Sequence, residues 1–380
     1  MIIEIRQAGF VNKGAELMLH AVVQKLRERY PDAKLTMAPD YGGADDTFEK
    51  MRALNLYPKA WYRRRGIDFG RLAFIMPNNI FKSYGLVSPS DVDVVIDAAG
   101  FSYSDQWGVE TSKELSHSSK TWKKAGVKLI MLPQALGPYS NPTLKKYVKL
   151  WVENADLICP REVDSYKYLT DLVGVQEKIK MFPDFTNLVK GTLPSNYDST
   201  DKSAALIPNY RMIDKTSGPE SKAYLPFMIR CAKQLVAKGQ KPFILVHEGE
   251  NDMLLAESIS EAAGGIPIVR ETNPLHIKGI LGTCDLTIGS RFHGLVSALS
   301  QGIPSLATGW SHKYARLFED YEFKDGIVSV LDSDNELNIK INLLIETQCH
   351  LKQKLNDRSE VLKKISEEMW NAVFSEIEKS

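Results

Sequence analysis

Short apolar runs that stop at glycine, serine or proline alternate along the chain with longer amphipathic stretches. In the first half the runs are IIEI (2–5), KLTMA (34–38), VDVVIDAAG (92–100), VKLIMLPQALG (127–137), ADLICPRE (155–162) and KIKMFPD (178–184). Each is short, rich in β-branched residues and closed by turn formers, which predicts strands of a parallel sheet buried on both faces. Between them, residues 16–30 place Leu17, Leu19, His20, Val23, Leu26 and Tyr30 near helical spacing before Pro31 ends the pattern, and residues 142–154 predict a second helix. The stretch KGTLPSNYDSTDKS (190–203) is polar and turn-rich, as a linker would be. The alternation then restarts with SAALIPN (203–209), a helix over 224–238, KPFILVHEG (241–249), PIVRE (267–271), CDLTIGS (284–290) and IPSLATG (303–309). Residues 336–380 are helical in pattern and highly charged, expected either to pack back across the first domain or to stand as a solvated helix. This alternation predicts an α/β protein of two Rossmann-like domains facing a central cleft, 1–190 and 200–345, with a helical segment over 346–380.

Composition narrows the function classes. With 48 Lys and Arg against 47 Asp and Glu, the net charge is +1, which argues against sequence-independent nucleic-acid binding. Hydrophobic residues at 43% and charged residues at 25% suit two globular cores. Cys159, Cys231, Cys284 and Cys349 form no CxxC pair, so neither a zinc knuckle nor a disulfide scaffold is expected, and the thiols read as inert in a reducing compartment. The start, MIIEIRQAGF, lacks a basic segment followed by a long apolar one. No run reaches the ~18–20 apolar residues of a membrane span. The expected location is the cytoplasm, with docking at the inner face of the membrane left open.

In open α/β sheets ligands bind beyond the carboxyl ends of the strands, which selects residues 9–16, 100–107, 134–138, 160–164 and 184, then 209–211, 247–252, 290–294 and 309–313. The most informative is GSRFHGLVSALSQGIP (289–304). A strand ends at Gly289 and Ser290, and a helix expected to start near His293 or Gly294 would be capped by Ser290, leaving backbone N–H groups for an anion. Arg291 and His293 add donors there. In TGWSHKYARLFED (308–320), His312 and Lys313 repeat the arrangement, and a lysine so placed suits a phosphate or carboxylate. Arg291, His293 and Lys313 therefore describe a cationic pocket for a small, multiply charged anion. In the first domain GFVNKGAELML (9–19) is neither GxGxxG nor a P-loop; Gly14, Asn12 and Glu16 could meet a substrate, or Asn12 could merely cap the helix. Gly100 in DAAGFSYSDQWG (97–108) permits close approach, and Asp105 with Tyr103 and Trp107 suits a sugar as well as it suits a loop anchored by Trp107. Gln134, Arg161 and Asp184 lie at further strand ends, as does His247, which is either catalytic or locally hydrogen-bonded. HExxH and GxSxG patterns are absent, and DxD occurs only as DVD (91–93) and DSD (332–334), outside the strand ends selected above, so zinc peptidase, DxD glycosyltransferase and serine hydrolase chemistry lose support.

Taken together, GFVNKGAELML, DAAGFSYSD, LPQALGP, PREVDS, MFPD, HEGENDM and above all LGTCDLTIGSRFHGLVSALSQGIPSLATGWSHKY resemble the polysaccharide pyruvyl transferase family. The resemblance implies a fold similar to two-domain GT-B glycosyltransferases. It also implies transfer of the pyruvyl group of phosphoenolpyruvate to two hydroxyls of a sugar, in a polysaccharide or its lipid-linked precursor, giving a ketal and phosphate. It implies that Arg161, Arg291, His293 and Lys313 bind or activate phosphoenolpyruvate, with no metal and no cofactor beyond that donor. Ala15 before Glu16 and Ala99 before Gly100 depart from the family's usual pattern, both on the acceptor side. Two alternatives stand beside this reading: a GT-B glycosyltransferase holding a sugar nucleotide in the same pocket, and a non-catalytic partner in polysaccharide assembly.

Overall fold

The structure, a computed structural model, describes residues 1–39, 46–60, 63–64, 67–68, 81, 83–216 and 218–379. The chain divides into two units: Met1–Phe185 with Ile365–Ser380, and Thr186–Lys364.

The first unit is built on a parallel sheet of β1 (Ile2–Arg6), β2 (Lys34–Met37), β3 (Tyr57–Pro58), β4 (Val94–Asp97), β5 (Lys128–Gln134) and β6 (Leu157–Pro160). Their order is β3-β2-β1-β4-β5-β6, so the chain winds outward from β1 in one direction and then from β4 in the other. The carboxyl edge where the direction reverses is where such sheets leave a crevice. The apolar runs became these strands because both sheet faces are covered: Val95, Leu129, Met131 and Ile158 are buried with Trp151, Leu144 and Val148 from the helix Pro142–Asn154. β1 departs from the apolar pattern on one face. Ile3 and Ile5 are fully buried, whereas Glu4, on the opposite face, meets Lys59 Nζ at 2.5 Å with both side chains buried. The first helix, α1 (Lys13–Arg29), starts earlier than its apolar spacing suggested, because Asn12 Oδ1 accepts the N–H groups of Gly14 and Ala15.

KIKMFPD does not form the expected strand. Ile179 makes one isolated bridge to Ile158. Backbone bonds still run beside β6, from Ile158 N–H to the Lys178 carbonyl at 2.8 Å, Lys180 N–H to the Ile158 carbonyl at 3.0 Å and Phe182 N–H to the Pro160 carbonyl at 3.2 Å, and Pro183, with no N–H to give, ends them.

The second unit repeats the plan with β7 (Ala204–Ile207), β8 (Pro242–Val246), β9 (Ile268–Arg270), β10 (Leu286–Gly289) and β11 (Ser305–Ala307), all parallel in the order β9-β8-β7-β10-β11. Ala205, Ile207, Phe243, Leu245, Ile280, Leu281 and Ala298 form its core. The polar stretch 190–203 lies in this unit and is fastened to it. Thr192 N–H donates to the Leu275 carbonyl at 3.0 Å, and a Cβ on Gly279 would fall 2.2 Å from the Thr192 oxygen. Only glycine allows that approach.

The last helix runs over Gln348–Glu378, and its final turns belong to the first unit. There Trp370 is buried edge-on against Phe185, Phe374 meets Tyr30, and Glu367 pairs with Lys25 at 2.7 Å. Cys159, Cys231 and Cys284 are buried and Cys349 is exposed; burial pushes the Cys284 thiol up to about 12, so it stays protonated. Among the described residues no helix is long and apolar enough to cross a membrane.

Candidate active site

At the carboxyl edge of the first sheet, two groups of side chains gather. Arg161 follows β6 and places Nη1 3.1 Å from Asp184 Oδ2, both side chains buried. The Arg161 N–H donates to the Gln134 carbonyl at 2.9 Å. Gln134 is fully buried, and its Oε1 has no hydrogen-bond partner. The sequence-selected trio Gln134, Arg161 and Asp184 is thus brought together. Glu162, next in the chain, caps the following helix by accepting from the Asp164 and Ser165 amides at 2.7 and 3.1 Å.

The second group was not foreseen. Arg6 ends β1 and Asp97 ends β4, and Arg6 Nε lies 3.1 Å from Asp97 Oδ2 while its Nη2 binds Glu114. Asp97 also accepts from Tyr103 OH at 2.6 Å and from the Ala99 N–H at 3.2 Å. Burial pushes the Asp97 carboxyl up, against the pull of Arg6. This network fixes the turn that carries Gly100, whose carbonyl accepts from the Ala135 N–H at 3.0 Å. Arg6 closes the apolar run IIEI and Asp97 closes the apolar stretch of VDVVID, so only the pairing register (Arg6 opposite Asp97) could have linked them.

Glu16 lies in the first turn of α1, buried, with Lys13 at 2.7 Å and Lys50 at 3.3 Å. Asp105 is committed to backbone: Oδ2 accepts from the Ser140 N–H at 2.5 Å and Oδ1 from the Asn141 N–H at 3.0 Å. Burial opposes its charge, but the amides outweigh burial and hold the carboxyl below its usual range.

In the second unit the helix after β10 runs Phe292–Leu299 with Arg291 at the N-cap and no side-chain cap. Ser290 does not cap it. Its hydroxyl pairs with Tyr224 OH, one of several bonds that fix this strand end: Asn209 Nδ2 and Tyr314 OH both donate to the Ser290 carbonyl, at 2.6 and 2.9 Å. Arg291 is held by carboxylates. Nε and Nη2 donate to Asp252 Oδ2 at 2.9 and 2.5 Å, and Nη1 donates to Glu248. Those bonds use three of its five N–H groups and leave one on each terminal nitrogen. Asp252 sits in the first turn of the helix Gly249–Ala262 and also accepts the Tyr210 N–H at 2.9 Å. Burial pushes its carboxyl up while Arg291 pulls it down. Gly294 keeps the first helical turn bare, since a Cβ there would lie 3.6 Å from His247 Cδ2 and 3.0 Å from Ile207 Cδ1.

Lys313 opens the helix Lys313–Asp320, with His312 at its N-cap. Its ammonium lies 4.8 Å from the Trp310 ring centre, 5.1 Å from Phe292 and 5.5 Å from Tyr314, close enough for cation–π attraction. Phe292 stands between Arg291 and His293 in the chain and packs edge-on to His293 at 5.3 Å. His293 and Lys313 are therefore neighbours around one aromatic ring, and Arg291 directly precedes that ring at the N-cap. Trp310 and Tyr314 also line a groove of about 390 Å³ with Met212, Glu220 and Ser329. The carboxylates Glu248 and Asp252 offset part of the positive charge read from the sequence. Their positions after β8 were legible in HEGEND, but their pairing with a residue about forty positions onward was not. Among the described residues no group of three or more His, Cys, Asp or Glu could hold a metal ion.

The model of the family described as "Polysaccharide pyruvyl transferase" matches residues 12–312. Among solved structures, HepE of Anabaena, crystallised with UDP and glucose, is 13% identical with a TM-score of 0.61, covering 100% of this chain and 99% of that one. The UDP-GlcNAc 2-epimerase of Neisseria meningitidis, bound to UDP-GlcNAc, is 9% identical at TM-score 0.61, covering 98% and 99% of the two chains. A UDP-glucosyltransferase from Polygonum tinctorium is 12% identical at TM-score 0.56, covering 100% and 99%. At such identities the likeness shows the fold, which is the two-domain Rossmann-like fold of GT-B enzymes.

Proposed function

Because the chain belongs to the polysaccharide pyruvyl transferase family, we propose that it transfers the pyruvyl group of phosphoenolpyruvate to two hydroxyls of one sugar. The acceptor is a saccharide of a polysaccharide or of its lipid-linked precursor. The observation that carries the reading is the placement of Arg291 and His293 at the start of the helix after β10, with His293 and Lys313 both against the Phe292 ring, which suits a small molecule bearing a carboxylate and a phosphate.

The chemistry follows from the donor's bonds. Protonation of its methylene carbon makes C2 an oxocarbenium-like centre. One sugar hydroxyl bonds to C2 and gives up its proton. The C2–O bond to phosphate then breaks, and the second hydroxyl closes the ketal and loses its proton in turn. One proton enters the methyl group, and the other leaves with phosphate.

His293 is assigned the proton delivered to the methylene carbon, being the titrating side chain at the start of the helix. Arg291, through its two remaining N–H groups, and Lys313 hold the charged ends of the donor; such charge-assisted bonds also fix its orientation. Arg161 is assigned a further anion contact on the strength of the family likeness. Glu16 is preferred to Asp105 as base for the sugar hydroxyl, since both Asp105 oxygens already accept backbone amides. No step calls for a metal. Calorimetric titration with phosphoenolpyruvate and with UDP-glucose tests the donor: the proposal requires binding of the first, and binding of the sugar nucleotide alone would put a glycosyltransferase in its place.

A further inference from the structure

Two helices of the first unit, Glu110–Lys124 and Pro142–Asn154, pack side by side, with His117 and Tyr147 in contact at 6.1 Å and Asn154 Nδ2 donating to Ser119 Oγ at 3.2 Å. Their inward faces carry Leu115 and Trp122 on one helix and Leu144, Val148 and Trp151 on the other. Their outward faces are basic. Lys120, Lys124, Lys145, Lys146 and Lys149 are exposed, and no carboxylate among the described residues pairs with any of them. Lys113 and Lys123, by contrast, meet Glu110 and Asp156 at 3.6 and 3.2 Å. Glu114, the remaining acid of the first helix, turns inward to Arg6, which leaves Glu110 and Glu153 as the exposed acids of the two helices. In a chain whose net charge is only +1, this is a concentration of positive charge that the pocket around Phe292 does not use.

We propose that this two-helix face docks on an anionic lipid bilayer. Three features favour a bilayer over a nucleic acid. The basic residues of both helices are lysines, point charges with long apolar stems, whereas phosphate-by-phosphate recognition draws on the arginine fork. Leu150 is exposed among them, and Tyr147 lies three positions before it, at the seam between the helices, an apolar and an amphipathic side chain suited to the interfacial layer. The charge is spread over a broad face made by two helices, which matches a surface potential better than a single bound ion. The proposal does not depend on the pyruvyl transfer reading, though a surface-bound enzyme would meet lipid-linked acceptors where they lie.

The test is co-sedimentation with vesicles of phosphatidylglycerol mixed with phosphatidylcholine, against phosphatidylcholine alone, at ~0.1 M salt. The wild-type chain should partition onto the anionic vesicles and leave the neutral ones in solution. Each lysine near an anionic surface changes partitioning roughly fivefold. The triple variant Lys120→Gln, Lys146→Gln, Lys149→Gln should therefore lose about a hundredfold, with an unchanged circular dichroism spectrum showing that it folds. Equal partitioning onto neutral and anionic vesicles, or a triple variant that binds like wild type, overturns the proposal. Displacement from the vesicles by duplex DNA at equal phosphate overturns it in favour of another polyanion.

Discussion

Arg291→Ala separates what this arginine does for the fold from what it does for the donor. The substitution strips the counter-charge from Asp252, whose side chain is 1% exposed, and from Glu248, which is 20% exposed. Breaking a buried pair by removing one partner costs about 3–5 kcal/mol. For a unit of this size that lowers the unfolding midpoint by roughly 6–20 °C. The pH dependence identifies the cause. Burial already pushes the Asp252 carboxyl up and Arg291 pulls it down, so without Arg291 it rises further. An acid whose folded-state value exceeds its unfolded value stabilises the fold only while protonated, and that stabilisation is lost as pH rises. The deficit of the variant should therefore be largest near neutral pH and shrink toward pH ~5. Donor affinity should fall more than tenfold, because even one charge-assisted bond contributes ~1.5–3 kcal/mol. The double variant Asp252→Asn, Arg291→Met should recover much of the stability, since a buried pair replaced by neutral groups is often tolerated, yet recover no donor affinity. Thermal unfolding across pH and calorimetry with phosphoenolpyruvate are the assays. A single variant as stable as wild type at neutral pH, or a double variant that binds donor normally, would refute the reasoning.

Three further outcomes are expected. His293→Ala should lower turnover by roughly 10²–10⁴ while leaving donor affinity within a few-fold, the signature of a lost general acid; equal losses in both would make it a binding residue instead. Gly309→Ala puts a Cβ 2.1 Å from Tyr314 Cδ2, and shifting that ring away from Lys313 and the Ser290 carbonyl should cost about 1–3 kcal/mol of stability and weaken donor binding; denaturant unfolding and calorimetry read the two effects, and an unchanged midpoint contradicts the packing. Turnover should survive exhaustive chelation, and activity restored only by added divalent metal would overturn the metal-free scheme.

The fold was legible where one physical signal dominated. Runs such as IIEI and CDLTIGS are apolar because parallel strands are covered on both faces, and they became β1 and β10. KIKMFPD carries a similar composition but forms only one bridge beside β6, its backbone bonds ending where Pro183 has no N–H to give. At the site, the strand-end rule brought Arg291, His293 and Lys313 to one edge of the second sheet. What it could not convey was compensation: Asp252 and Glu248 reach Arg291 across strands far apart in sequence. The Ser290 cap failed for a related reason, because its hydroxyl is taken by Tyr224 from a distant helix. Arg6 and Asp97 were hidden because charged residues at the ends of apolar runs read as strand termini until the register pairs them.

The most direct test of the central claim follows both products of one reaction: the purified chain with phosphoenolpyruvate and a panel of free and lipid-linked saccharides. Phosphate should appear in step with a saccharide whose mass has grown by one pyruvate ketal, and neither should form without the other. Phosphate release with no change in any saccharide, or a saccharide extended only when a sugar nucleotide replaces phosphoenolpyruvate, would contradict the account.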